Sequence, residues 1–426
     1  MSKFIKLSLA TLAFASFAAA MDNTDDQNRD RHMSVKKAVG SVGAVPQKDL
    51  TIVDGFKHMF VDGKVMGQVR SMYSGMNYDA QPDTYATALG AFLKYELAQY
   101  KGFSGALGFR TSYDIRLLSG DDTHHNPELS SSQKEYTDVT QAYINYNYKN
   151  INLRAGRQAL DTPLADTDDI RMIPNSFEAY TISYESDSFT LMGGSIKSWQ
   201  GVDADLDAKW SDAGKDGTYF AGFSYSSDIL DTNLWFYNIN GEAGDDTANN
   251  SYYADVVGHI NLGGERYLHL AAQYLKQDEL DNSNVDADII GLSAELVIDN
   301  IGLNLAYNNS FKTDGKKSFS GFGGGTLFTS MDIMILDAIT DGNDAQAFVA
   351  GISYDWDNVN FLYAYGDFSA TGASKEHIVE QNIGVAYAPN EEFTLGAICN
   401  INDDKENTGA NDGDWYNVRV LVTYNF

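Results

Sequence analysis

The chain has 426 residues, 43% of them hydrophobic and 12% aromatic, and a formal net charge of −29. Such acidity argues against a nucleic-acid partner, because phosphate binding needs clustered Lys and Arg. The single cysteine, Cys399, excludes an intramolecular disulfide, and abundant Tyr (26) and Phe (22) with scarce Pro (6) favour strands over helices.

Residues 1–20, MSKFIKLSLATLAFASFAAA, set Lys3 and Lys6 before an apolar run from Leu7 to Ala18 and end in small residues. The run is too short to span a bilayer and closes on an A-x-A-like site, the pattern of a secretory signal peptide. Residues 21–63 read as a polar periplasmic lead-in. Within it DLTIVDGFKHMF, 49–60, could form an amphipathic helical turn or two near a barrel mouth. No later segment has eighteen apolar residues in a row, so no helical span is expected.

From residue 64 to 426 the pattern has period two. In FSGALGFRTSYDIR, Phe103, Leu107, Phe109 and Tyr113 alternate with Ser104, Arg110, Ser112, Asp114 and Arg116. RYLHLAAQYLKQ sets Leu268, Leu270, Ala272 and Tyr274 against His269, Gln273 and Gln277, and IGLNLAYNN repeats the theme. The final WYNVRVLVTYNF places Tyr416, Val418, Val420, Val422, Tyr424 and Phe426 on one face. Successive strand side chains point to opposite faces, so one face is apolar with aromatic ends and the other polar. That is the signature of a lipid-facing barrel strand with interfacial girdles.

About eighteen such runs begin near 64, 85, 103, 133, 151, 177, 189, 218, 233, 250, 266, 286, 301, 347, 359, 377, 393 and 414. Tight turns (YKG, KN, SDS, LGGE, DN, PNE) alternate with long polar loops such as SGDDTHHNPELSSSQ and NDDKENTGANDGD. A soluble propeller or sandwich predicts no such alternation, whereas an outer-membrane barrel does. The fold class expected is therefore all-β: a transmembrane antiparallel barrel of about eighteen strands. No lipid-exposed edge can be left open, so it must close. A barrel this wide encloses an aqueous channel.

One connection stands out. DTPLADTDDIRMIPNS, 161–176, holds Asp161, Asp166, Asp168, Asp169 and Arg171, four acids against one base. Folded inward, it would narrow the lumen with a formal charge of about −3 and make the channel cation-preferring. Pro163 and Pro174 would stiffen its limbs, while Leu164, Met172 and Ile173 could pin it to the wall. Lumen parity also falls on Arg70, Arg110, Arg116, Arg154 and Arg419, a basic track along the wall. Arg157 has the opposite parity unless the strand bulges. Arg419 falls on the polar face, so Arg419→Ala is expected to be mild by comparison with an arginine placed on the lipid face at Val420.

The run GRQ…TPL…DIRMIPNSFEAY, together with GFGGGTLFTSMDIMILDAITDGNDAQ at 321–346, resembles the OprD-type outer-membrane porin family, including related major outer-membrane proteins of Gram-negative bacteria. The resemblance extends over residues 64–426. It implies an eighteen-strand channel in the outer membrane, narrowed by two infolded loops, with lumen arginines guiding small solutes. Parity alone does not decide whether the second loop enters. The expected function is passive diffusion of ions and small hydrophilic solutes. The alternatives are a channel selective for amino acids or small carboxylates, or a structural or adhesive surface barrel.

No other chemistry is expected. His124-His125 with Asp121 and Asp122 reads as a solvated loop rather than a metal site. Asp166, Asp168 and Asp169 offer hard oxygens to Ca²⁺ but lack a dedicated loop pattern. His259 and His269 have no nucleophile nearby, so no enzyme is expected. The residues leave a monomer and a homotrimer both open.

Overall fold

The computed structural model describes residues 51–426 apart from 117, 119, 122–123, 127–128, 130–134, 205–209, 242–245, 312–315, 324, 341–343, 372–374 and 407–412. The expected signal peptide, the lead-in to residue 50 and Asp122 lie outside the described residues. The end of the lead-in forms helix α1, Ile52–Val61. Thr51 caps it by accepting from the Asp54 backbone N–H at 3.2 Å.

Eighteen antiparallel strands build the wall. The first six are β1 (Lys64–Tyr78), β2 (Thr84–Tyr100), β3 (Phe103–Asp114), β4 (Tyr136–Tyr148), β5 (Ile151–Gln158) and β6 (Ser176–Glu185). Next come β7 (Phe189–Gln200), β8 (Thr218–Ser226), β9 (Leu230–Ile239), β10 (Asn249–Asn261), β11 (Arg266–Glu279) and β12 (Ala287–Ile298). The last are β13 (Ile301–Phe311), β14 (Asp344–Trp356), β15 (Val359–Thr371), β16 (His377–Tyr387), β17 (Phe393–Asp404) and β18 (Trp415–Asn425). Each pairs with its neighbour in sequence, and β1 also pairs with β18 from Gln68↔Asn425 to Tyr78↔Trp415. Closure leaves no edge for lipid to strand. The chain end seals the seam: Phe426 and Gly67 exchange both backbone hydrogen bonds at 2.9 Å. The Phe426 ring covers Gly67, where a Cβ would collide with it.

The alternation is physical as well as formal. On β18, Tyr416 and Tyr424 are exposed on the outer face, whereas Asn417, Arg419 and Thr423 on the inner face are buried. Two-residue turns at one end begin with Lys101, Lys149, Asp299 and Asp357 at φ 49°, 53°, 50° and 52°. Positive φ suits the twist of tight hairpins. Long connections gather at the other end. Bulges interrupt the register at Leu97/Tyr100, Gly108/Phe109 and Glu178/Ala179. The alternation read through Arg116 stops short of it, because β3 ends at Asp114 and Arg116 lies beyond it at φ 53°, exposed in the loop.

The apolar belt faces outward and the polar residues inward, the reverse of a water-soluble protein. Val420→Arg should therefore destabilise the barrel by roughly 2–4 kcal/mol, measured by refolding into bilayers across a urea series. Nitroxide labels at 418, 420 and 422 should report lipid; water-like signals would mean the register is wrong.

Candidate functional site

Inside the barrel, the connection between β5 and β6 turns back on itself. Asp161-Thr162 pairs with Ala165-Asp166 as a miniature hairpin around Pro163-Leu164. Thr167 ties its base, its Oγ1 donating to the Leu160 carbonyl at 2.9 Å and accepting the Leu160 N–H at 3.0 Å. Asn175 closes the far limb, bonding Asp203 at 2.7 Å. Leu164, Met172 and Ile173 are buried. Gly90 on the inner face of β2 leaves room for the Met172 methyl, which a Cβ there would strike.

The loop's acidic end meets the basic wall. Arg70 of β1 grips Asp169 with two nitrogens, at 2.6 and 3.1 Å, and donates to the Arg171 carbonyl. Arg110 of β3 stands 3.8 Å from the same carboxylate, with its guanidinium 4.5 Å above the Phe92 ring. Burial works to raise the Asp169 carboxyl, yet the two arginines hold it below its ordinary value. A bidentate fork of this kind fixes geometry as well as charge.

Beyond that junction, Lys94 of β2 lies 6.0 Å over the Tyr143 ring and 3.5 Å from Glu96. Arg154 of β5 sits 4.5 Å from the centroid of the same ring and donates to Asn145 at 3.3 Å. Arg110, Lys94 and Arg154 thus follow one wall from the loop toward the short-turn end. Arg157, opposite Ala142 in the register, reaches over to Asp138 at 3.4 Å, with its guanidinium 4.2 Å above Trp210. Lys94 escaped the sequence reading because TYATALGAFLKYELAQY is apolar on both faces, so its parity is hidden.

The connection between β13 and β14 also lies inside. Its backbone is fastened to inward side chains: Phe319 to Gln277 at 2.8 Å, Phe328 to Gln273 at 2.7 Å and Thr329 to Asn308 at 3.0 Å. Both carboxylate oxygens of Glu380 accept backbone N–H groups, from Ile333 at 3.1 Å and Met334 at 2.6 Å. Asp332 is paired with Arg419. The two loops touch each other, Phe322 exchanging backbone bonds with Leu164 at 2.8 Å and Asp166 at 3.2 Å. Gly321, at φ 95°, lies so close to the Leu164 backbone that no side chain fits. Leu164, Phe177, Phe322, Phe328, Met331 and Met334 belong to the apolar core that glues loops to wall. No sequence signal singled out Gln273, Asn308, Glu380 or Arg419 as loop anchors, since each is an ordinary inward polar residue until the loop meets it.

The metal readings find no geometry. Asp169 is engaged by Arg70 and Arg110. His124 pairs with Asp121 at 2.8 Å, and His125 with Asp114 at 3.2 Å. Among the described residues, no group of three or more His, Cys, Asp or Glu side chains converges as metal ligands.

A closed barrel with an apolar outside, a polar inside and loops folded into its lumen is a transmembrane porin. The sequence matches the outer membrane porin, OprD family, over residues 58–361, and the chain belongs to that family. It is accordingly a channel rather than an enzyme, embedded in the outer membrane of a Gram-negative bacterium. No curated protein matches its sequence. Among solved structures, Acinetobacter baumannii OccAB4 shares 17% identity at TM-score 0.72, covering 85% of this chain and 98% of its own. A. baumannii OccAB3 shares 15% at TM-score 0.74, with 86% and 99% covered. Pseudomonas aeruginosa OpdK, solved with vanillate, shares 17% at TM-score 0.70, again covering 86% and 99%. At these identities the likeness is one of fold.

Proposed function

We propose that the chain is a passive diffusion channel for ions and small hydrophilic solutes, narrowed by loop 161–176 and weakly cation-preferring. The observation that carries this reading is Asp169 held between Arg70 and Arg110. The loop contributes Asp161, Asp166, Asp168 and Asp169 against Arg171, and the wall brings Arg70 and Arg110 to it. Four acids against three bases leave a formal charge of about −1 at the ring, where charges act at close range. A preference read from the loop alone, at about −3, is accordingly softened. In a planar bilayer the purified protein should conduct in discrete steps with no energy source, and a salt gradient should give a small reversal potential of cation-selective sign. A silent bilayer from folded protein would favour the structural or adhesive reading.

A second reading, selectivity for amino acids or small carboxylates, rests on the wall of Arg110, Lys94 and Arg154. Each cation lies over or beside an aromatic ring, so its charge is positioned rather than mobile. A carboxylate could pass from one to the next while an ammonium group meets the loop aspartates. Lys94→Gln should then reduce the current noise that a small monocarboxylate or amino acid produces by about fivefold, with little change in open conductance; one such fixed contact amounts to ~1 kcal/mol. Equal noise in the two proteins would leave simple diffusion as the function. Whether protomers associate as a homotrimer is decided by cross-linking in native membranes.

A further inference from the structure

We propose that helix α1 is an interfacial anchor, lying in the periplasmic phospholipid leaflet against the outside of the barrel. The helix sits outside because of a bulge. Between Leu97 and Tyr100 the β2–β3 register shifts, so Tyr100 pairs with outward-facing Phe103. Tyr100 therefore points to the lipid side, yet it is buried. What covers it is α1: Gly55 packs directly on its ring, where any Cβ would collide. Tyr95, two residues from outward-facing Leu93, donates its hydroxyl to the Phe60 carbonyl. Met59, on the same side of the helix as Gly55, is buried as well.

The helix has three sides. Gly55 and Met59 form the one pressed to the wall. Asp54, Lys57 and His58 form a polar side, with His58 3.1 Å from Asp62 and exposed Val61 of the last turn among them. Between them lie Ile52, Phe56 and Phe60, spaced i, i+4, i+8 along one stripe, with Val53 beside it. These four are 66%, 56%, 59% and 76% exposed. A wall contact, an apolar stripe and a polar stripe are what a helix at a membrane surface needs, its apolar face among acyl chains and its polar face in water.

The occupant is set by continuity. Exposed Val65, Leu93, Phe103 and Phe426 surround the helix on the outer wall, so its stripe extends the lipid-facing belt. The helix lies at the short-turn end, which faces the periplasm. Lys57, Lys64 and Lys101 are exposed around it, beside Asp54 and Asp62 of the helix and its cap, with Lys101 stationed 5.3 Å over the Tyr100 ring. They stand at the level of anionic headgroups.

The test uses full-length protein carrying Cys399→Ser, reconstituted in phosphatidylethanolamine–phosphatidylglycerol vesicles, with single nitroxides at Phe56, Phe60, Val53, Lys57 and Leu93. Labels at 56, 60 and 53 should show the high oxygen and low nickel-chelate accessibility of the belt position 93, and the label at 57 the reverse. Three positions on one apolar side keep a single perturbing label from deciding the result. Nickel accessibility at 53, 56 and 60 equal to that at 57 would place the helix in water and overturn the proposal. Shielding from both reagents would mean that polypeptide, a second copy or another protein, covers the stripe, which overturns it equally.

Discussion

Arg419→Ala is expected to free the second lumen loop and widen the channel. The guanidinium and the Asp332 carboxylate are both almost wholly shielded from solvent, at 2% and 0% side-chain exposure. Removing one member of a buried ion pair strands the other and costs about 3–5 kcal/mol. The mild effect expected from sequence is thus corrected, because the arginine does have a partner, and that partner arrives on a loop. Single-channel conductance should rise and become noisier, and residues 321–340 should become cleavable in folded barrels. Replacing both partners with apolar residues, Arg419→Met with Asp332→Leu, should restore most of the stability, since nothing is then left buried and charged. If Arg419→Ala behaved like the parent, the backbone bonds to Glu380 would be sufficient to hold the loop.

Asp169→Asn should move the reversal potential toward anions further than any other single loop substitution. It removes one negative charge and releases two positive ones from their partner, so the ring changes from four acids and three bases to an even count. Asp121→Asn, in an exposed outer loop, should leave the potential close to the parent value. Equal shifts from the two would mean that loop 161–176 does not form the narrowest ring. The same pair sets a pH expectation. Asp169 has a folded-state value below its ordinary 3.8, so its stabilising contribution is fully present above that value. It is lost only as pH falls through the depressed folded value. Conductance should therefore keep its neutral-pH level through mildly acid solution as far as this anchor controls it. A loss of the loop's hold above the ordinary carboxylate range would show that the arginines are not what keeps Asp169 ionised.

The division between sequence and tertiary structure follows the range of the forces involved. Strand faces, closure and the long-short rhythm of the connections were legible because each depends on neighbours two residues apart or on a local turn. The strand starts read from alternation fall within a few residues of the observed ones for the same reason. Arg116 was misplaced because alternation does not announce where a ladder ends, and Lys94 was missed because an apolar inner neighbour, Phe92, blurred the period. Charge pairing was beyond local reading altogether. Arg70 and Asp169 are 99 residues apart, and Arg419 and Asp332 are 87 apart. The acidic loop's composition was plain in the sequence, but its net field depended on which wall arginines it would meet. The sequence by itself determined a closed, lipid-facing barrel, since that needs only a period of two repeated along the chain. Tertiary structure alone decided which charges the lumen shows a solute, because ion pairing is settled by distance in space and not by order along the chain.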